Sequence, residues 1–353
     1  MTWDLLLLIL LPMTIGGLST LLFISIGESI GLVDYPDHRK HHSQPTITTG
    51  GLSIFVTILI CGMFLLPKEQ GMLAYFACSS MLVILGVLDD ISDIPAIQRL
   101  LIQSCIALLM CTQGSFYIRD LGNLFGMGQV DLGYFGYVLT IVAVIAAINA
   151  FNMIDGIDGL LGSTALIIFF ALAVLFGIAG DIDSLKFSLV IAISIIPYLW
   201  VNLQIRPVWL EKIFMGDTGS MLIGLSVIWL LIEGTQGSEK SFSVTTALWL
   251  ICFPLMDMAR VMISRRLRGQ SMLEADRTHL HHLLTDNRWF QHRPLMLINT
   301  FSLLAAATGI VLEIANVPEL VSLVLFISAF VIYVYNVHRV LDILPSAKVN
   351  AER

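Results

Sequence analysis

Charge is what this sequence has least of. Only 13% of its 353 residues are Asp, Glu, Lys or Arg, and 57% are hydrophobic. A soluble domain has about 25% charged and 45–50% apolar residues, so this chain reads as an integral membrane protein whose solvent is lipid. Its net charge of −7 therefore carries no message about nucleic acid, and no nucleic-acid partner is expected; what counts is where each charge sits along the membrane. Paired cysteines are lacking too. Cys61, Cys78, Cys105, Cys111 and Cys252 all lie in apolar runs with no C-x-x-C, which argues against a disulfide framework or a zinc ribbon and leaves them as small buried hydrophobes. The first residues, MTWDLLLLILLPM, have neither a basic n-region nor a small-residue cleavage site, so an uncleaved first membrane helix is expected. Internal repeats and low-complexity linkers are absent, and a single polytopic domain over 1–353 is expected.

A helix needs about 20 apolar residues to cross hydrocarbon. Eleven runs qualify, near 4–27, 51–66, 71–88, 99–113, 134–151, 159–180, 186–203, 218–234, 243–262, 294–315 and 319–337. The expected fold is thus an all-α polytopic membrane protein of about eleven transmembrane helices. Of the nineteen Lys and Arg residues, Lys68, Arg119, Lys186 and Lys240 fall in one set of alternate loops and the other fifteen in the opposite set and the C-terminal tail. The positive-inside rule puts the crowded set in the cytoplasm, with the N-terminus periplasmic and the C-terminus cytoplasmic.

The unusual residues gather in those inner loops: 28–51, 89–98, 152–158, 204–217 and 263–293. The first, GLVDYPDHRKHHSQPTITTGG, combines Arg39, Lys40 and three histidines with a closing Gly50-Gly51. Two glycines would let backbone approach a ligand and offer N–H groups to an anion; a solvated loop that only sets topology is the plainer reading. The second ends an apolar run in D-D-x-x-D, Asp89, Asp90 and Asp93. Three carboxylates within one turn repel each other unless a cation sits among them, and they disfavour a helix C-terminus. Oxygen-only ligands suit Mg²⁺ or Mn²⁺. The third, NAFNMIDGIDGL, places Asn152, Asp155 and Asp158 three apart, a period that would put them near one face of a helix end. The fourth, KIFMGDTGS, sets Asp217 between glycines just before a membrane helix; its carboxylate and the helix N–H groups would point at one phosphate–metal assembly. The fifth carries Arg265, Arg266 and Arg268, then His279, His281 and His282. Guanidinium binds phosphate oxygens bidentately, and no cysteine supports a zinc site there. Acids for a hard metal, with glycines and cations for phosphate, argue for metal-dependent phosphoryl transfer on the cytoplasmic face.

With these residues in view, the chain resembles the polyprenyl-phosphate N-acetylhexosamine-1-phosphate transferase family. The motifs GxVDxPxxRKxHxxP…GG at 31–51, DDxxD at 89–93, NAFNMIDGIDGL at 149–160, MGDTGS at 215–220 and HxHH at 279–282 follow in family order over nearly the whole length. The resemblance implies transfer of GlcNAc-1-phosphate from UDP-GlcNAc to undecaprenyl phosphate in the bacterial inner membrane, with Mg²⁺ or Mn²⁺ as cofactor. It implies Asp217 and Asn152 as metal ligands. Asp90, with Asp89, would be metal-associated or would position or deprotonate the lipid phosphate. Asp158 matches a uracil-contacting position with Asp155 beside it. Arg265, His279, His281 and His282 would hold the diphosphate and the sugar, and Lys40 the lipid phosphate. The sister transferase using UDP-MurNAc-pentapeptide would share the metal site and differ in the fifth loop, which reads the sugar, and it stays open as the alternative. A transporter would show mid-span acids, and mid-span charges read as nearly absent. A protease reading of Asp217-Thr218-Gly219 leaves the other loops unexplained. The oligomeric state, a homodimer among the options, has no signal in the sequence.

Overall fold

The computed structural model describes residues 2–36, 44–205, 210–237, 239–271, 278–285 and 293–343. The described elements are helices α1 (Thr2–Ile26), α2 (Gly50–Leu65), α3 (Gln70–Ser92), α4 (Ala96–Gln113), α5 (Phe135–Ile154), α6 (Leu160–Ala179), α7 (Ile182–Asn202), α8 (Gly216–Thr235), α9 (Val244–Leu250), α10 (Cys252–Leu267), α11 (Leu280–Thr285), α12 (Pro294–Ile314) and α13 (Glu319–Ile343), with two-residue strands β1 (Val33–Asp34) and β2 (Thr46–Ile47). Among the described residues, nine helices are long and apolar enough to cross a membrane, and ten spans result if α9 and α10, bent by 81°, count as one. The remaining run expected as a span, α2, is a 16-residue helix. The chain is therefore a largely helical polytopic membrane protein.

The chain divides into two compact units, residues 1–119 with 132–241, and residues 120–131 with 242–353. In the first unit α8 is the axis. Its apolar window is 94% buried, against 28% for α1 and α4, and α3 and α5 pack on it most extensively. Two helices share a membrane interior with no hydrophobic drive between them, so small residues and interhelical hydrogen bonds hold them together. Both occur here. A Cβ on Gly86 would lie 2.4 Å from the Thr218 Cα, one on Gly51 2.2 Å from the Gly219 nitrogen, and one on Gly224 2.7 Å from the Ile148 Cα. Deeper in, the Tyr75 hydroxyl and Ser226 Oγ lie 2.7 Å apart, and the Tyr75 ring meets Trp229 edge-on at 5.4 Å.

Backbone hydrogen bonds stitch the first loop to the fourth. β1 and β2 pair antiparallel, and Ile47 bridges to Ile213 in parallel. Phe214 N–H donates to the Ile47 carbonyl at 2.8 Å, and Gly50 and Gly51 donate to the carbonyls of Phe214 and Met215 at 3.0 and 2.9 Å. That corrects the anion-binding reading of the paired glycines. Their N–H groups are already bonded, and their bare Cα atoms admit the Tyr198 ring and the Gly219 backbone.

In the second unit the break at Ile251 splits 244–267 into α9 and α10. Ser243 caps α9, accepting from the Thr246 N–H. Glu313 of α12 accepts from the Ser243 N–H at 3.1 Å and its hydroxyl at 2.7 Å. Gly309 lets α12 close on Trp249, where a Cβ would sit 2.6 Å from the Trp249 Cβ.

The close approach of α3 to α8 yields a test. Gly86→Ala forces a methyl onto backbone, and overpacking of this kind costs about 1–3 kcal/mol. It is expected to lower the thermal unfolding midpoint in detergent, whereas Gly17→Ala, with open space around it, leaves the midpoint nearly unchanged. Equal midpoints for both variants would refute the backbone contact.

Candidate active site

The site in the first unit begins where α3 ends. Helix propensity and apolar packing carry α3 through Ser92, and Asp93 closes it in the left-handed conformation, φ 46°. The three acids of this segment separate. Asp93 is exposed. Asp89 is buried at 2% exposure; its Oδ2 takes Arg99 Nη1 of α4 at 2.6 Å, and its Oδ1 takes the Ile94 N–H at 2.8 Å. A carboxylate with both oxygens so engaged ties the end of α3 to α4. Asp90 reaches the start of α8 instead. Its Oδ1 accepts the Asp217 N–H at 2.8 Å, and its Oδ2 accepts the Thr218 N–H at 3.2 Å and the Thr218 hydroxyl at 2.8 Å.

Those two N–H groups belong to the first turn of α8, where no intrahelical acceptor exists, and α8 has no side-chain cap of its own. Asp90 therefore does for α8 what an N-cap aspartate does, from another helix, with the helix dipole adding to its hold. This corrects the expectation that the α8 N–H groups point at phosphate, since Asp90 occupies at least two of them. Gly216 has to be glycine twice over: its φ is +72°, and a Cβ would lie 2.7 Å from Asp90 Oδ2.

Asp217 and Asn152 are brought together as expected. The Asn152 amide donates to Asp217 Oδ1 and, at 2.9 Å, to Ser220 Oγ. The three-residue period of Asn152, Asp155 and Asp158 is not one helical face, because α5 stops at Ile154 and Asp155 is already its C-cap. A turn carries the chain on to Gly159, at φ 73°. Asn202 fixes that turn by accepting the Gly159 N–H at 2.7 Å and donating to the Ile213 carbonyl at 2.8 Å. Asp158 pairs with Lys212 Nζ at 2.6 Å, and Lys212 also lies 5.0 Å from the Phe214 ring centroid. Asp155 is pushed up to about 8, first by burial of its carboxyl and then by the charges of Asp217, Asp90 and Asp158.

These groups fit a hard divalent cation. The donors are all oxygen atoms, and negative charge exceeds positive. Among the described residues no three His, Cys, Asp or Glu side chains converge closely enough to hold a metal unaided. Mg²⁺ takes one or two protein carboxylates and completes its shell with water and substrate phosphate. Asp217 and Asn152 would hold it, the amide of Asn152 turning its oxygen inward.

The second unit holds the histidines. Asp257 of α10, fully buried, is the hub: Oδ2 meets His279 Nδ1 at 2.7 Å, while Oδ1 takes Arg260 Nη2 at 3.0 Å, the Tyr333 hydroxyl at 2.8 Å and the Leu280 N–H at 3.2 Å. The His279 and His281 rings stack 5.9 Å apart at 16°, and His281 and His282 lie 4.1 Å apart. His281 is 1% exposed and neither ring nitrogen is hydrogen-bonded; burial, then the neighbouring His282, drives it down to about 3, so the ring is neutral. Arg265 is 3% exposed. Lys40 lies outside the described residues. Asp257, Arg260 and Tyr333 went unnoticed in the sequence, although an Asp inside the apolar run 243–262 was signal enough.

A family model described as Glycosyl transferase family 4 matches residues 72–235, the stretch from α3 to α8. The chain is 38% identical over 317 residues to an undecaprenyl-phosphate alpha-N-acetylglucosaminyl 1-phosphate transferase of Yersinia pestis, covering 89% of this chain and 86% of that protein. It is similar to proteins of the same description from Escherichia coli strain K12, at 40% over 318 residues with the same coverage, and Haemophilus influenzae, at 39% over 326 residues covering 92% and 91%.

If Asp90 caps α8, Asp90→Ala leaves two first-turn N–H groups without their acceptor, and loss of a cap costs about 0.5–2 kcal/mol. The thermal midpoint is expected to drop. Asp158→Ala breaks an exposed pair worth about 0–1 kcal/mol and should leave the midpoint in place. An Asp90→Ala midpoint equal to wild type would rule out the capping role.

Proposed function

The chain belongs to the polyprenyl-phosphate N-acetylhexosamine-1-phosphate transferase family, and we propose that it transfers GlcNAc-1-phosphate from UDP-GlcNAc to undecaprenyl phosphate, giving undecaprenyl-diphospho-GlcNAc and UMP. The observation that carries this reading at the residue level is the gathering of Asp90, Asp155, Asp158 and Asp217 around the start of α8. An acid-rich site with all-oxygen donors suits a diphosphate bound through a divalent cation.

An oxygen of the lipid phosphate attacks the sugar-linked phosphorus in line. The bond from that phosphorus to the bridging oxygen breaks, and UMP leaves with the oxygen and its electron pair. A phosphate monoester, with a second pKa near 6, is already largely dianionic at neutral pH, so no side chain has to deprotonate it. Asp217 and Asn152 would hold Mg²⁺ or Mn²⁺, which would supply charge neutralisation to the diphosphate and the leaving group. Asp90 fixes the start of α8 and with it the direction of the Asp217 carboxylate. Asp89, which holds Arg99, also lies directly beside the Asp217 carboxyl. Asp158, which pairs with Lys212, contacts the uracil, with Asp155 beside it. Lys40 and Arg265 serve the phosphates. The site opens to the cytoplasm of the bacterial inner membrane, the side on which fifteen of the nineteen basic residues fall. The product is the first membrane-bound intermediate of a surface polysaccharide such as O-antigen or enterobacterial common antigen.

Purified protein in detergent, given undecaprenyl phosphate and sugar-labelled UDP-GlcNAc, is expected to move label into the organic phase with one UMP per sugar, only when Mg²⁺ or Mn²⁺ is present. Asp217→Asn should lower the rate by about 10²–10³-fold, the range for losing one electrostatic contact to the transition state. Transfer from UDP-MurNAc-pentapeptide in place of UDP-GlcNAc would overturn the sugar assignment. Undiminished transfer in chelator would overturn the metal.

A further inference from the structure

Between α4 and α5 the chain carries an apolar tip that the transfer reaction does not use. Residues 121–130, LGNLFGMGQV, are ten in a row without Asp, Glu, Lys or Arg. The Leu121 N–H donates to the Val130 carbonyl at 3.0 Å and the Val130 N–H to the Gly122 carbonyl at 2.9 Å, pairing the two limbs as a short hairpin. The tip is closed from inside. The Gly126 N–H donates to the Asn123 carbonyl at 3.1 Å and the Gly128 N–H to Asn123 Oδ1 at 2.8 Å. Both glycines hold a positive φ, 73° and 103°, which a side chain would resist. This built conformation turns Phe125 and Met127 outward, 50% and 87% exposed. Two large apolar side chains held out in water would be unfavourable, and such patches mark interaction surfaces.

The hairpin rests on α13, which belongs to the same compact unit. The Asn123 N–H donates to Glu319 Oε1 at 3.1 Å. A Cβ on Gly122 would lie 2.5 Å from Glu319 Oε2, and one on Gly126 3.5 Å from Leu320 Cδ2. Glu319 and Leu320 open the span Glu319–Arg339, so the tip lies level with the first turn of a membrane helix, where headgroups meet hydrocarbon. Leu320, Val321 and Val324 are 40%, 46% and 54% exposed, an apolar surface of the kind a membrane helix shows to lipid. Among the described spans α13 is also the least buried, at 22% of its window against 94% for α8. Packing therefore does little to fix its height, and interfacial anchors take over that task.

We propose that the 121–130 hairpin is a membrane-interface anchor. Phe125 and Met127 insert at the acyl boundary of the leaflet in which α13 begins, and the contacts to Glu319 and Leu320 tie the height of α13 to that insertion. The positive-inside rule makes this the outer leaflet. The partner is phospholipid, because the tip is uncharged and continuous with the lipid-facing side of α13, as in other apolar segments that lie in the interface. The anchor does not depend on which sugar or lipid the active site takes.

Nitroxide labels in nanodiscs of phosphatidylethanolamine and phosphatidylglycerol test this. They are read by collision with oxygen, which concentrates in hydrocarbon, and with a water-soluble nickel chelate. The background is Cys105→Ala, because Cys105 is exposed whereas Cys61, Cys78, Cys111 and Cys252 are buried. Met127→Cys carries the label at the tip, Val324→Cys gives the lipid reference, and Glu239→Cys, at an exposed loop position, gives the aqueous one. The oxygen-to-nickel ratio at position 127 is expected to exceed that at position 239 several-fold and to approach that at position 324. Adding Phe125→Asp should move it back toward the aqueous value, since a charge resists the acyl boundary. A ratio equal to the aqueous reference overturns the anchor. Protection from both probes overturns it too, because a protein partner or a second copy would then cover the tip, and so does a ratio that Phe125→Asp leaves unchanged.

Discussion

A single carboxylate sets the start of the most buried helix in the first unit. Helix α8 lies among α2, α3 and α5 with almost no exposed surface, so its first-turn N–H groups cannot turn to lipid or readily to water. An unpaired buried amide costs about 1–3 kcal/mol. Asp90 takes two of those groups and the Thr218 hydroxyl as well, and in doing so fixes the register of α3 against α8. Gly86 one turn earlier and Gly216 at the helix start make room for that contact. The direction of Asp217, the turn into Phe214, and the backbone seam to Gly50 and Gly51 all follow from where α8 begins.

Charge is apportioned around this point with economy. Arg99 answers Asp89 and Lys212 answers Asp158 by direct contact. Asp217 is met by an amide, and burial, then three neighbouring carboxylates, pushes the Asp155 carboxyl up to about 8. A site in this condition favours whatever brings positive charge. A divalent cation arriving with a diphosphate does so while adding ligands of its own, which is why a short protein ligand set suffices.

Much of this was legible in sequence because lipid punishes irregularity: apolar runs marked the long helices, and acids at their ends marked the site. What stayed hidden was pairing. Nothing local in D-D-x-x-D says that Asp89 turns to Arg99, Asp90 to the backbone of a helix over a hundred residues away, and Asp93 to the surface. The Gly50-Gly51 pair was misread for the same reason, since a glycine needed for helix contact and one needed for a ligand look alike until the opposing backbone is known. Asn152, Asp155 and Asp158 do not share one helical face, because the helix that would have aligned them ends after Ile154.

Asp257 repeats the logic of Asp90 in the second unit. Each is an acid in an apolar helix whose oxygens accept N–H groups from the beginning of another helix, Asp217 and Thr218 in one case and Leu280 in the other. Each thereby positions a neighbouring side chain, Asp217 or His279. A buried carboxylate is costly unless its partners are complete. Membrane helices that carry one must therefore meet their partners in a single arrangement, since any slip in register strands the charge. Helix-to-helix hydrogen bonds between neutral groups are worth little in lipid because the unfolded reference also finds partners; an acid whose several acceptor positions are filled from two or three different helices has no such substitute. The same residues that make these helices poor lipid spans thus specify how they dock.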